Sequence, residues 1–186
     1  GEAQLNRPHG VALDANGGRI LVADTDNRRV VVYSLSGQLQ RSYTNEAFQE
    51  VVDVAQEPSG SLLVLDAMAN GIFRIDPVSD AIVPVATDTS FYRPRGFAVD
   101  SLGMILVADT GGARVVVLDP AGHMMGEFGG AEKVLGQGQP VDTLAFNNQW
   151  WAISAENGRV WNLATLGSLG ALSYNNTIDG PQMAVL

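Results

Sequence analysis

Residues 7–33 read RPHGVALDANGGRILVADTDNRRVVVY, and residues 93–118 read RPRGFAVDSLGMILVADTGGARVVVL. A phrase repeated at a fixed interval marks one structural unit written more than once. Placing Gly10, Asp53, Gly96 and Asp142 in one column gives spacings of 43, 43 and 46 residues. Below Pro8-His9-Gly10-Val11 then fall Val51-Val52-Asp53-Val54, Pro94-Arg95-Gly96-Phe97 and Pro140-Val141-Asp142-Thr143. The closing Pro181-Gln182-Met183-Ala184-Val185-Leu186 has the form of the first strand of a fifth copy.

Inside each copy, four short runs rich in β-branched residues are separated by Gly, Asn, Asp or Pro. The first copy gives GVALD, a turn at residues 15–18, RILVAD, a polar TDN loop, RRVVVY, a turn near Ser36-Gly37, and QLQRSY. Runs of four to seven residues between turn formers are antiparallel strands. No apolar pattern at helical spacing is sustained; TNEAFQE (44–50) is the one stretch read as a single helical turn. Four antiparallel strands every forty-odd residues define a propeller blade. The expected fold is therefore all-β: a β-propeller of four-stranded antiparallel blades, about four blades plus one strand. The blades are placed at 5–45, 48–88, 91–130 and 138–173, with a fifth starting at 180–186, in one domain.

The pattern P-x-G-V-A-V-D followed by I-x-V-A-D-T-x-N-x-R-V-x-V resembles the NHL-type repeat. Copies one (ILVADTDNRRVVVY) and three (ILVADTGGARVVVL) carry it well. Copy two keeps the skeleton in LLVLDAMANGIFRID, and copy four is weaker still in WAISAENGRVWNLA. The resemblance covers about residues 5 to 164 and implies a propeller, commonly of six blades. With four blades and one strand, the expectation is a segment whose remaining blades come from a longer chain. Self-association of two copies and closure with four blades are the alternatives, since an open arc exposes strand edges.

Composition narrows the partners. The chain has 186 residues, 46% of them hydrophobic and 17% charged, which suits a packed domain and not a disordered one. No apolar run reaches the length of a membrane span, and no basic-then-apolar leader opens the sequence, so a secretion signal is expected to be absent or removed. A net charge of −9 opposes nucleic-acid binding, which draws on phosphate attraction. The absence of cysteine excludes disulfides and thiolate metal sites. An extracytoplasmic setting is the expectation for such a module.

Strand direction decides where chemistry can gather. The loop before each first strand and the loop between the second and third strands share one face, around the mouth of a propeller channel. The column one residue ahead of the aligned Gly or Asp reads His9, Val52, Arg95, Val141, Gln182. Imidazole, guanidinium and amide there are candidate contacts for a small polar or anionic ligand. Asp53 and Asp142, one residue further on, are candidate ligands for a calcium ion, as in propellers of the gluconolactonase type. The simpler reading is that each bonds backbone amides nearby.

Pro8-His9 also matches one Pro-His step of peptidyl-hydroxyglycine lyase domains, which resemble NHL propellers and hold zinc through histidines. Arg95 and Gln182 stand at the matching positions, so the three ligands of a catalytic zinc are not assembled and the lyase activity is not carried over. Asp24, Asp66 and Asp109 close the second strands. Their recurrence points to turn carboxylates, which arginines such as Arg28, Arg29 and Arg114 pair with. Trp150, Trp151 and Trp161 are expected between blades. Asn175-Asn176-Thr177 is a formal glycosylation triplet.

The functional expectation is a non-enzymatic binding or scaffold module that recognises a protein, peptide or glycan through the loop face. His9, Arg95, Gln182, Asp53 and Asp142 are its candidate contacts, no metal or catalytic residue is assigned, and no cofactor is expected unless calcium binds. The alternative is a metal-dependent hydrolase or lyase of the lactonase type acting at the channel mouth.

Overall fold

A computed structural model describes residues 4–14, 18–85, 87–129, 138–154, 156, 158–163 and 172–173. Among them, sixteen strands form four antiparallel sheets of four, each in sequential order. The first sheet holds β1 (Val11–Asp14), β2 (Arg19–Asp24), β3 (Arg29–Ser34) and β4 (Leu39–Thr44). The second holds β5 (Val51–Gln56), β6 (Leu62–Asp66), β7 (Gly71–Ile75) and β8 (Ile82–Pro84). The third holds β9 (Gly96–Val99), β10 (Ile105–Asp109), β11 (Arg114–Leu118) and β12 (Met124–Gly129). The fourth holds β13 (Pro140–Phe146), β14 (Gln149–Ser154), β15 (Arg159–Asn162) and β16 (Leu172–Ser173). The all-β propeller-type blades expected from the repeat are thus present. The fifth copy, with Gln182, lies outside the described residues.

The chain divides into two compact units, residues 1–85 and 86–186, each built of two blades. In the first unit, Leu21, Ala23, Val30 and Val32 of one blade bury against Val54, Val64, Phe73 and Ile75 of the next. Phe48 completes this core, meeting Phe73 edge-on at 5.2 Å between ring centroids. In the second unit, Leu106 and Val115 pack with Ala152 and Leu163, and the Trp150 and Trp161 rings lie against them. The blade-to-blade placement read for these two tryptophans holds, and Trp150 Nε1 donates to Asp100 Oδ2 at 3.1 Å. Threonine hydroxyls add hydrogen bonds between these blades: Thr110 Oγ1 donates to the Pro140 carbonyl (2.7 Å) and Thr143 Oγ1 to that of Leu106 (2.9 Å).

The segment TNEAFQE is not a helical turn. The Asn45 side chain accepts the Ala47 N–H at 2.9 Å and its carbonyl accepts the Phe48 N–H at 3.1 Å, closing a tight turn that drops Phe48 into the core. Burial of that ring, 1% exposed, outweighs the weak helical preference of so short a segment.

The innermost strands approach unusually closely, and glycine permits it. A Cβ on Gly10 would meet the Asp53 Oδ1 atom and lie 2.7 Å from Asp53 Cα and 2.9 Å from the Val52 carbonyl oxygen. On Gly96 it would meet Asp142 Oδ1, with the Val141 oxygen at 2.9 Å and Asp142 Cα at 3.0 Å. At the same places the β5–β6 register shifts between Val51 and Asp53, and the β13–β14 register between Pro140 and Asp142. Each unit therefore pairs a blade that begins on glycine with one that begins on a β-bulge and an aspartate.

Gly10→Ala is expected to lower the urea-unfolding stability by about 1–3 kcal/mol, because backbone as well as side-chain atoms block the added methyl. Asp53→Ala on the same background will not rescue it. Gly126→Ala, where the site is empty within 4 Å, should stay within about 0.5 kcal/mol of the parent. Equal losses for Gly10→Ala and Gly126→Ala would refute the close-approach account.

Candidate functional site

Antiparallel pairing sets which residues share an end of each blade. Val11 lies opposite Val22, and Asp24 opposite Arg29, so the start of β1, the end of β2 and the start of β3 are together. The same holds in the third sheet, where Ala108 opposes Gly96 and Asp109 opposes Arg114. This end of the blades carries His9 and Asp53 in the first unit and Arg95 and Asp142 in the second.

Its geometry rests on fully buried carboxylates that close the second strands. Asp24 accepts the Asn6 N–H (2.7 Å), the Asn27 side-chain amide (2.8 Å) and Arg29 Nε (2.6 Å). Asp66 accepts N–H groups from Gln49 (2.7 Å), Glu50 (3.0 Å), Met68 (3.1 Å) and Ala69 (2.8 Å). Asp109 accepts the Tyr92 N–H (2.6 Å) and Arg114 Nε (2.8 Å). Each carboxylate thus ties the loop entering its blade to that blade's second and third strands. The turn reading of this series is confirmed, and Arg29 and Arg114 are its partners. Arg28 is not: it is exposed, in the left-handed region at φ 51°, at the end of the 3₁₀ turn Thr25–Asn27. In the fourth blade Ser154 occupies this position, buried, with no hydrogen-bond partner for its Oγ among the described residues.

Burial alone would push the Asp24 carboxyl upward. The hydrogen bonds from Asn6, Asn27 and Arg29, with the Arg29 charge, more than offset it and hold the group below its ordinary value of 3.8.

His9 and Arg95 are both exposed, and their backbone N–H groups bond the carbonyls of Ala23 and Ala108, each at 3.1 Å. Val52 is buried and Val141 half-buried, and each occupies the shifted register described above. The polar–apolar alternation of this column therefore follows from backbone geometry. Glycine blades present an exposed side chain, and bulged blades turn a valine inward. Asp53 Oδ1 accepts the Val54 N–H at 2.9 Å, and Asp142 Oδ1 accepts the Thr143 N–H at 2.8 Å, the local bonding anticipated for them. His9 is adjacent to the glycine that packs on Asp53, and Arg95 to the glycine that packs on Asp142. The structure so brings the four residues together as two pairs, one per unit. Among the described residues, no three His, Asp or Glu side chains are grouped to hold a metal ion. His123 lies at the opposite end, 3.1 Å from Asp119.

Three residues of this end were not singled out from the sequence. Arg7 and Arg93 adopt φ 45° and 50° although each precedes a proline, which favours an extended residue before it. Tyr92 is 61% exposed. The signal available for it was the change from Asp26-Asn27 in copy one to Gly111-Gly112 in copy three, beside FYRPRG.

Sheets of this form, with glycine-led inner strands in two blades and a buried carboxylate at the second-to-third strand loop in three, are those of a β-propeller-type chain. The NHL repeat family model matches residues 5–33 and 91–118, the first and third blades. Over 135 residues the chain is 27% identical to the protein brain tumor of Drosophila melanogaster, an alignment covering 69% of this chain and 13% of that protein. It is 25% identical to the B-box type zinc finger protein ncl-1 of Caenorhabditis elegans, covering 68% of this chain and 16% of that one. The fold is shared with a virginiamycin B lyase from Staphylococcus aureus (TM-score 0.73, 18% identity, 94% of this chain and 58% of that chain). A streptogramin B lyase is similar too (TM-score 0.71, 13% identity, 91% and 55%). The chain thus spans a small part of these curated relatives and little over half of the solved chains. None of the described helices is long and apolar enough to cross a membrane.

Asp24→Asn is expected to cost about 1–3 kcal/mol at neutral pH by denaturant unfolding. The folded carboxyl titrates below the unfolded one, so its contribution is complete above the ordinary value of 3.8 and is lost as pH falls through the folded value. The gap between parent and variant should therefore close on acidification below about pH 4. A gap that is constant with pH would contradict this assignment.

Proposed function

We propose that the chain is a non-enzymatic binding module whose ligand, a protein, peptide or glycan, docks at the blade loops that carry His9 in the first unit and Arg95 in the second. One observation carries the reading. Arg19, Arg29, Arg74 and Arg114 are each locked to a buried carboxylate: Asp14, Asp24, Glu57 and Asp109 respectively. Arg7, His9 and Arg28 in the first unit, and Arg93 and Arg95 in the second, are exposed, each at this end of its own blade. Exposed basic side chains at the loop end of a blade are suited to contact a partner. The NHL-repeat relatives support a binding role. Asp53 and Asp142 belong to the same end and set the position of the glycines beside His9 and Arg95.

The lyases of the same fold favour the second reading, a metal-dependent hydrolase or lyase. Metal analysis of the purified chain separates the two: stoichiometric calcium or zinc, with turnover of a lactone or of virginiamycin B, would replace the binding reading. For the binding reading itself, a random peptide display selection against the parent chain is counter-selected with His9→Ala/Arg95→Ala. Peptides retained by the parent and released by the double variant are the expected result. A ligand held equally by both places recognition elsewhere.

A further inference from the structure

The two units share one frame, but their blades are not fastened alike. Thr25 opens the 3₁₀ turn Thr25–Asn27 and Thr110 the turn Thr110–Gly112, and each turn ends on a left-handed residue, Arg28 or Ala113. The Asp26 N–H bonds the Asn6 carbonyl at 3.2 Å, and the Gly111 N–H bonds that of Tyr92 at 2.9 Å, so the turns correspond residue for residue. On the neighbouring blades Asp53 and Asp142 hold the same place, which matches Val51 with Pro140 and Val54 with Thr143.

In the second unit, both threonines at this joint are bonded across it. Thr110 Oγ1 donates to the Pro140 carbonyl at 2.7 Å, and Thr143 Oγ1 to the Leu106 carbonyl at 2.9 Å. In the first unit, Val54 stands in place of Thr143 and packs in the apolar core. Thr25 keeps its hydroxyl, yet the residue is only 5% exposed and its Oγ1 has no hydrogen-bond partner among the described residues. A buried hydroxyl without a partner is unfavourable, and folded proteins retain few of them.

The rest of the joint differs as well. The second unit is also bonded at the end away from these turns, through Trp150 Nε1 and Asp100 Oδ2 at 3.1 Å. In the first unit, Arg41 on the outermost strand β4 reaches the turn between β7 and β8, bonding the Pro77 carbonyl (2.6 Å) and Asp80 (2.8 Å). That contact lies at the outer rim, away from Thr25. Between the two places Leu21, Val30 and Val32 meet Val54, Val64 and Phe73, and such apolar contacts are not directional. At the inner edge, Gly10 presents backbone to Asp53 with no side chain to interlock. A joint bonded at its rim and apolar elsewhere has the build of a pivot.

We propose that the first unit carries a hydroxyl latch: its blades pivot about the Arg41–Asp80 contact, and Thr25 Oγ1 closes on the Val51 carbonyl as Thr110 does on that of Pro140. The latch stands open in the first unit, and its counterpart is closed in the second. Closure draws the turn after β2 towards the start of β5, and so moves the loop end of the first blade relative to Val52. A ligand that touches both loops shifts the two populations by its difference in affinity for them. The latch is a property of the joint and stands whatever the loop end binds.

The test uses the 186-residue chain labelled with nitrogen-15 and relaxation dispersion, which detects exchange on the microsecond-to-millisecond scale of hinge motions. Exchange with one common rate is expected at Thr25, Asp26, Val52 and Asp53, and none at Thr110, Gly111, Val141 and Asp142. Thr25→Val keeps the shape and removes the hydroxyl, so it should abolish the exchange without lowering the melting temperature, whereas Thr25→Ser should retain it. Val54→Thr supplies the donor that the second unit has and should quench the exchange with Thr25 still in place. Thr110→Val should lower the melting temperature by about 2–4 °C, the loss of one hydrogen bond in a chain of this size. Absence of exchange at the first joint, equal exchange at both, or exchange that persists unchanged in Thr25→Val overturns the proposal. Equal losses of melting temperature for Thr25→Val and Thr110→Val also overturn it, because both hydroxyls would then be bonded.

Discussion

Within each two-blade unit the structure depends on how closely two inner strands can lie. Gly10 and Gly96 bring their backbones against Asp53 and Asp142, at distances that any Cβ would forbid. That approach has three consequences. The aspartate side chain fills the space left by the missing methyl and bonds the next N–H of its own strand. The strand carrying it takes a register shift at its start. And the residue ahead of the glycine, His9 or Arg95, remains exposed, while its counterpart on the neighbouring blade, Val52 or Val141, is drawn inward. A packing constraint thus selects which blades can offer a polar contact at this end. The repeating unit is two blades, although the sequence period is one.

Around that approach, carboxylates do most of the fastening, and each acts on a local backbone. Asp24, Asp66 and Asp109 gather the N–H groups of the loops at one end. At the other, Glu57 forks onto Arg74 at 2.7 and 2.8 Å, and Asp100 accepts the N–H groups of Leu102 and Met104, each at 2.9 Å. Asp76 and Asp119 do the same for the turns between third and fourth strands, with their carboxyls held below the ordinary value by the N–H groups of Val78 and His123. Much of the acidity of this chain is therefore structural. The net charge of −9 reports how its turns are closed more than what it binds, and the informative charges are the arginines outside these pairs.

What was legible in the sequence was what is local. Strand runs, turn residues and the end-of-strand aspartates recur because every blade solves the same backbone problem, so comparing copies separated scaffold from variation. The alternation of His9, Val52, Arg95 and Val141 was visible too, but its cause was not. A register shift against β6 or β14 depends on residues more than ten positions away, and no pattern within β5 or β13 encodes it. Arg28 was read as a partner of the turn acids from its proximity in sequence. Its left-handed backbone at the end of the 3₁₀ turn gives Asp24 to Arg29 instead. Tyr92 was passed over because an aromatic beside a proline carries no site pattern, and only contact with Gly111 shows that it is held in place.

The comparison of Asn6–Asp26 with Tyr92–Gly111 shows how such a scaffold diverges. The bond between the loop carbonyl and the turn N–H, and the buried aspartate beneath it, are kept in both blades. The side chains above them are not needed to hold the backbone and can be replaced in pairs. Placing tyrosine there required removing the Cβ beneath its ring, and the same glycine removed the acid that faces the arginine. One loop therefore carries an acid beside its arginine and the other an aromatic ring on a glycine turn, on the same hydrogen-bonded frame. A difference of that kind, confined to side chains that the frame does not use, is where selection for a partner has room to act.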